Sequence, residues 1–443
     1  MAAREDAPDA ALTRKVVDFA AGLGLYAAVA PAVPPPGLRR ALRRRAVLGW
    51  RAEFEPPEDE RRWNPQAVLP GATSVVALAL PYGGAGARAA APTAGRPAAA
   101  AGRRARAAAA ERAAPTAPAP APFPRGRVSR YAAGWDYHRL MGWRAAAVAA
   151  FLTAHGYRAV WQVDTGPLAE RAFAAAAGLG AVGRNGLLIM PGLGTQVFLG
   201  LVVTDAPLRR SRPAPFDPCR GCDLCVRACP ADALGTGGAV DTTRCISYAT
   251  QRRDDIPLDQ RRALGLWIWG CDVCQDVCPH NRAPAGAALQ PSRALGAACG
   301  PGERPDLIGL LRLGKGAFRR RWGSSAAAWR GRPVLQRNAL VALGNWSRTR
   351  AAGAPPEVRR AVWQALLRGL FAPRPELRRH AAWAVAQWPD AAAARAALEE
   401  RCAVEADPGV RAALEEALAA CAAGDAAAGD AAAGAPQRGG AMR

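Results

Sequence analysis

Hydrophobic and polar positions change their rhythm along the chain. Up to about residue 210, stretches of helical period alternate with short apolar runs; past Asn281 the period is helical almost throughout. Residues 11–30 read as an amphipathic helix followed by a glycine break at Gly22 and Gly24, and LRRALRRRAVLGW (38–50) as a basic helix. LPGATSVVALALPY (69–82) reads as a turn and then a strand, whose unbroken Val, Ala and Leu predict burial on both faces. Periodicity is lost over 83–125, an Ala-, Pro- and Arg-rich surface insertion. It returns in a helix late in 129–157 that ends at Gly156, a strand over 158–166 with Asp164 at its C-terminal end, and a helix over 167–180 with proline in its first turn and a glycine stop. Residues 183–205 read as a strand, a Pro-Gly turn and a second strand, a hairpin. The fold class is α+β, with an N-terminal α/β domain over 10–210.

Beyond the middle of the chain, LQRNALVALGNW, LRRHAAWAVAQW and VRAALEEALAAC, starting at 335, 377 and 410, superpose without gaps. Each carries an apolar stripe and an early basic residue, which predicts HEAT-like helix-pair repeats over 286–421. Residues 422–443 read as a flexible tail.

Between these regions, Cys219 to Pro279 holds eight of the eleven cysteines. CRGCDLCVRACP is C-x2-C-x2-C-x3-C-P, the bacterial ferredoxin run, in which three thiolates hold one 4Fe-4S cluster and the fourth reaches a second. CDVCQDVCP lacks one cysteine of a second run, and Cys245 in RCISY supplies it. Crossed ferredoxin topology gives one cluster to Cys219, Cys222, Cys225 and Cys278, and the other to Cys229, Cys245, Cys271 and Cys274, in a ferredoxin-like domain over 211–285. The competing reading is structural zinc, which also uses C-x2-C pairs. Two Cys-Pro terminations and the triple C-x2-C-x2-C argue against it.

The formal net charge is +23, and of the basic side chains only Lys15 and Lys315 are lysine. A surplus this large favours a polyanionic partner, nucleic acid first, over a merely solvated basic surface. No apolar run reaches the length of a membrane span, and MAAREDAPDAALTRKV lacks signal-peptide order. Reduced thiolates also suit a cytoplasmic setting. Cys402 and Cys421 fall in helical segments as small core residues; Cys299 lies apart.

Asp164 stands where a strand gives way to a helix, a usual place for site residues in α/β folds. It suits a proton donor or, before Thr-Gly-Pro, an N-cap. His138, Tyr131 and Tyr137 suit either chemistry or ordinary core and surface roles. The chain has no Walker A lysine and no G-x-G-x-x-G with a following acidic residue, and GLGAVGRNG does not fit a dinucleotide fingerprint.

In order, LPGATSVVALALPY, SRYAAGWDYHRLM, VDTGPLAERAFAAAAGLGAVGRNGLLI, CRGCDLCVRACPADAL, RCISYAT and GCDVCQDVCPHNR resemble the epoxyqueuosine reductases, cobalamin and iron–sulfur enzymes that complete queuosine in tRNA. The resemblance spans most of 10–285 and extends to the C-terminal repeats. It implies cobalamin held between the N-terminal and ferredoxin-like domains, one cluster feeding it single electrons, and reduced cobalt acting on the epoxide with loss of water. It implies Asp164 as proton donor, and Arg184, Asn185, Ser247, Cys271 and Asp272 along the cobalamin. Arg252, Arg253 and the repeat arginines would hold the anticodon stem-loop by its phosphates. An external low-potential electron donor and a monomer are further expectations. Departures are Gln251 where the family carries an acid, His280-Asn281 where it carries Trp-Asn, and an atypical WRAEFEPPEDERRWNP (50–65). Rival readings are a corrinoid reductase of small molecules and a non-enzymatic electron-transfer or RNA-binding module.

Overall fold

The computed structural model describes residues 8–57, 59–82, 123–212, 214–235, 239–282 and 300–433, with side chains to 422. Helix α1 (Ala10–Gly22) begins on the Asp9 cap, whose carboxylate accepts from the amides of Ala11 and Leu12. After Gly24, at φ 76°, the chain enters strand β1 (Tyr26–Pro31), which periodicity did not reveal because its alanines carry little strand signal. Helix α2 (Leu38–Val47) follows, basic as expected and with no buried residue.

Every residue of β2 (Ser74–Pro81) is buried. It becomes one of two inner strands of an antiparallel sheet that it forms with β1, β7 (Val197–Thr204) and β4 (Ala159–Gln162), in the order β1-β2-β7-β4. Val76, Leu78 and Leu80 pack on α1 and on α3 (Tyr137–Ala154), through Leu12, Val16, Met141 and Val148. Val75, Ala77 and Ala79 face the other way, toward Phe173 and Ala174 of α4 (Glu170–Ala176). Helices on both faces explain the unbroken apolar run.

The hairpin expected over 183–205 does not form. Strand β6 (Leu188–Ile189) pairs back with β5 (Ala181–Val182), and β7 joins the main sheet instead. Gly192 and Gly194, at φ 72° and 75°, reverse the chain between them. A Cβ on Gly194 would stand 2.0 Å from Asn281 Oδ1, so this turn is pressed on the cysteine region.

That region carries short helices α5 (Leu224–Ala228), α6 (Ile246–Ala249), α7 (Leu258–Ala263) and α8 (Val273–Asp276). Strand β3 (Arg127–Val128) pairs in parallel with β8 (Trp267–Trp269). Most of the expected insertion lies outside the described residues. Pro124, within its last residues, accepts from Leu307 N on its carbonyl at 3.1 Å.

The C-terminal part consists of α9 (Leu307–Arg312), α10 (Lys315–Trp322), α11 (Arg332–Arg350), α12 (Pro356–Leu370), α13 (Pro375–Val385), α14 (Ala391–Val404) and α15 (Pro408–Ala433). The superposable segments fall on α11, α13 and α15, which pack one on the next, with α12 and α14 between them in sequence. Cys421 is buried, Cys402 half-buried, and Cys299 lies outside the described residues. Helix α15 continues past residue 422, where the tail was expected, to Ala433; 434–443 are not described. Helix α11 is buried from Val334 to Ser347 and shares one core with Trp267, Ile268 and Trp269.

Candidate active site

Strand β4 ends at Gln162, and the next residues form a tight loop. Gln162 braces it from within: its Nε2 donates to Leu168 O at 2.9 Å, and its Oε1 accepts from Leu168 N at 3.0 Å. Gly166 lies against that side chain, and a Cβ there would come within 2.4 Å of Gln162 Cβ. Asp164 sits at φ 54°, the left-handed region that aspartate tolerates better than most residues. Its amide donates to Glu170 Oε1 at 2.7 Å. The spacing VD-x-x-P-x-x-E is therefore a loop that closes on itself. Next to Glu170, Arg171 donates to Gly186 O and ties this loop to the GRNG loop.

Asp164 does not cap the following helix; Ala169 stands at that position without a side-chain bond. Its carboxylate instead accepts from Tyr137 Oη at 2.6 Å and stands 3.3 Å from His138 Nε2, while 57% of the side chain stays exposed. His138 Nδ1 lies 2.7 Å from Asp136 Oδ1, and the Tyr137 and His138 rings stack at 4.2 Å. Desolvation works against charge on the imidazole, but Asp136 and Asp164 outweigh it and hold its pKa at about 9. Desolvation also pushes Asp164 up, but His138 and Tyr137 bring it below the ordinary carboxylate range. Burial first, then the Asp164 charge, drives Tyr137 far above the usual phenol value. Glu170 is raised to about 8, by desolvation and then by Asp164. At neutral pH the group holds protons on His138 and Tyr137 around a carboxylate open on one side.

Sequence reasoning left Tyr137 and His138 undecided. The available signal was Asp136, the N-cap of α3, whose carboxylate accepts from the His138 amide at 3.0 Å and fixes the first turn that carries both rings. Glu170 was visible only as a letter of the motif.

The segment before α3 links this group to the cysteines. The Tyr131 ring lies 5.9 Å from that of Tyr137, and a Cβ on Gly270 would be 3.0 Å from Tyr131 Cε1. Gly270 leads into Cys271, and Cys219, Cys222, Cys225 and Cys278 of the other set line one small pocket together with Arg184 and Asn185. The Arg184 amide donates to Cys219 Sγ at 3.4 Å, and Asn185 Oδ1 accepts from Leu187 N at 3.2 Å. Cys245, Cys271, Cys225 and Cys229, in that order, are the electrostatic neighbours of Cys274, so the two cysteine sets adjoin there. Burial pushes the Cys271 thiol up to about 12 and that of Cys274 well above its ordinary value. Buried thiols that repel one another's charge ionise only around a positively charged core.

Among the described residues, no three His, Cys, Asp or Glu side chains converge as a single-ion site. Tetrahedral zinc needs sulfurs about 2.3 Å from one centre. Thiols spread around a cavity fit a larger inorganic body, as a cubane is.

The remaining expected residues divide. Ser247 is half-buried, and its carbonyl accepts from Gln251 Nε2 at 2.9 Å. Asp272 is 2% exposed and spends its carboxylate internally, on Ser129 Oγ, Arg130 N at 3.0 Å and Gln275 Nε2 at 3.2 Å. Arg252 is paired with Asp254, while Arg253 is exposed. His280 Nε2 lies 3.0 Å from Pro218 O, and Asn281 Oδ1 accepts from Thr195 N at 2.7 Å. The first bond stays within the cysteine region; the second ties that region to the sheet domain.

Residues 218–281 match the 4Fe-4S double cluster binding domain, and 62–165 match the family model for epoxyqueuosine reductase QueG. The epoxyqueuosine reductase of Bacillus cereus is 31% identical over 350 residues, 77% of this chain and 82% of that protein. The chain belongs to the epoxyqueuosine reductase family. Its relative from Staphylococcus aureus is 31% identical over 79% of this chain and 83% of its own length. A solved epoxyqueuosine reductase with a tRNA-Tyr epoxyqueuosine-modified tRNA stem loop superposes at a TM-score of 0.76, with 28% identity over 93% of this chain and 99% of its own. The Bacillus subtilis epoxyqueuosine reductase, with its catalytic aspartate loop swung out of the active site, superposes at 0.75, with 27% identity over 92% and 98%. The family's enzymes are oxidoreductases. Among the described residues no helix is long and apolar enough to cross a membrane.

Proposed function

We propose that this oxidoreductase reduces epoxyqueuosine to queuosine at the wobble position of tRNA anticodons. The observation that carries the reading is the Asp164, Tyr137 and His138 group. It adjoins, through residues 129–137, the segment that carries Cys271 and Cys274, in a chain of the epoxyqueuosine reductase family. Epoxide oxygen leaves as water, which takes two electrons and two protons, and this chain carries a place for each. The cysteine sets, as two 4Fe-4S clusters, accept electrons singly from an external low-potential donor. Their ligands are Cys219, Cys222, Cys225 and Cys278 for one, and Cys229, Cys245, Cys271 and Cys274 for the other.

Asp164 is the proton donor. The side of its carboxylate turned away from Tyr137 and His138 is open, as a group facing cofactor and substrate must be. A substrate covering that side adds desolvation, which favours the acid form, and protonated His138 stands within reach to supply the proton. Cobalamin, when bound, supplies a reduced metal able to act on the epoxide. Ser247 and Cys271 would line it, together with Arg184 and Asn185, which also line the pocket of the first cysteine set. Asp272 fits a supporting role, holding Ser129 and Arg130, because its own oxygens are taken. The HEAT-like helix pairs and exposed arginines, Arg253 among them, take the phosphates of the anticodon stem-loop in a cytoplasmic monomer.

The test is anaerobic conversion. Protein loaded with iron, sulfide and cobalamin, given a reductant and epoxyqueuosine-containing tRNA, is expected to yield queuosine by mass analysis of the digested tRNA. Fully loaded protein that leaves the epoxide intact would reject the reading.

A further inference from the structure

Beside the second cysteine set lies an aromatic cluster that the reaction does not use. Trp329 is 51% exposed and Phe54 38% exposed. Their rings meet edge to face at 85°, with centroids 5.3 Å apart, and Phe54 is also 5.7 Å from the ring of Tyr248, just past Cys245. Isolated surface aromatics are ordinary. This one is fixed from three separate segments. The Arg330 guanidinium lies 3.9 Å from the Trp329 ring and 5.0 Å from that of Phe54, and it pairs with Glu53 at 2.7 Å. Trp329 Nε1 donates to Gln251 Oε1 at 3.3 Å, and Gln251 is anchored on Ser247. The indole is thus backed by Arg330 and pinned at its edge, with about half of the residue still exposed.

The charge around it suits a polyanion. Glu53 and Asp254 are neutralised by Arg330 and Arg252. Arg253 is exposed and makes no ion pair among the described residues, and the same holds for Arg40, Arg43 and Arg44 of α2. Arg45, at the end of α2, donates to Glu55 Oε1 at 2.8 Å and to Thr242 Oγ1 at 2.9 Å. Those bonds pin the basic helix to the segment carrying Phe54 and to the loop before Cys245. A rigid aromatic face rimmed by arginines is the arrangement that takes unpaired bases of single-stranded RNA, each base stacking while its phosphates meet the charges.

We infer that Trp329, with Phe54 at its edge, is a stacking platform for an unpaired anticodon-loop base other than the one reduced, and that Arg253 and α2 hold the flanking phosphates. This rests on the tRNA reading above and deepens it. Phe54 lies in the 50–65 stretch that departs from the family's usual sequence, and Trp329 leans on Gln251, a second departure.

The experiment uses the full-length, cluster-loaded protein and two labelled RNAs, an anticodon stem-loop and a fully paired duplex of equal charge, followed by fluorescence anisotropy. Trp329→Ala is expected to weaken stem-loop binding about tenfold or more, and Trp329→Phe by less than about threefold, with duplex binding unchanged in both. Stem-loop quenching of the wild-type tryptophan emission should shrink in both variants. Should Trp329→Ala lose its visible cluster absorption, Phe54→Ala, on a separate segment, is expected to show the same selective loss. Equal stem-loop binding by wild type and Trp329→Ala, or a matching loss on duplex, overturns the platform alone. Wild-type protein with no affinity for the stem-loop overturns the platform and the tRNA reading together.

Discussion

The Asp164 loop and the contact of α11 with the second cysteine set are both held by buried polar bonds, but those bonds span very different lengths of chain. Around Asp164, Gln162 reaches Leu168 and Glu170 reaches back to Asp164, each six residues away. In α11, Arg337 is 1% exposed and pairs with no carboxylate among the described residues. It donates to Arg252 O at 3.0 Å, Asp254 O at 2.5 Å and Ala249 O at 3.4 Å, across 83 to 88 residues. Asn338 adds bonds to Thr250 O at 2.7 Å and Ile268 O at 2.8 Å. Burial lowers the Arg337 pKa to about 10, so it stays charged at neutral pH. One device sets a single side chain for chemistry. The other makes the helical region a wall of the cysteine region, since five backbone carbonyls are met only when the two dock.

The largest effect expected from breaking either side is on chemistry. Asp164→Asn should lower turnover by about 10²–10⁴ while iron content and stem-loop affinity stay unchanged. Unchanged turnover would remove Asp164 from the reaction. Arg337→Met should cost about 3 kcal/mol, because carbonyls are left buried without donors. Visible absorption of the second cluster should be lost early in a thermal melt, and an unshifted melt would mean that α11 does not brace the 249–254 loop.

The same contrast decides how much could be read beforehand. The Asp164 loop, the ferredoxin run and the buried strand β2 are local, and their residue types and spacings carry the physics. Strand β1 was missed because its pairing with β2, not its own alanines, makes it a strand. The misread hairpin has a similar cause, since β7 finds better partners in β2 and β4 than in its neighbour in sequence. Arg337 looked like one more basic residue on a repeat, and nothing within a few residues betrays a bond made 85 positions away. His138 and Tyr137 were legible as residues but not as partners of Asp164, which lies on another element.

A smaller effect sharpens the account of the proton group. The His138 pKa, 6.5 in an ordinary setting, is raised to about 9, so its stabilising contribution is complete below pH 6.5 and is lost as pH rises through about 9. Proton-limited turnover should decline over that same alkaline limb. His138→Gln should be slower at neutral pH and lack the limb; an identical alkaline profile in wild type and variant would assign the titration to another group.

The central claim is that electrons stored on the two cysteine sets reduce an epoxide held beside Asp164. It is tested most directly by reducing the loaded protein, removing the reductant and adding an equimolar epoxyqueuosine stem-loop. The expected result is about one queuosine per chain, formed as the absorption of both clusters returns to its oxidised form, since each cubane gives one electron. Clusters that stay reduced while the epoxide persists, in protein that demonstrably binds the stem-loop, would contradict it.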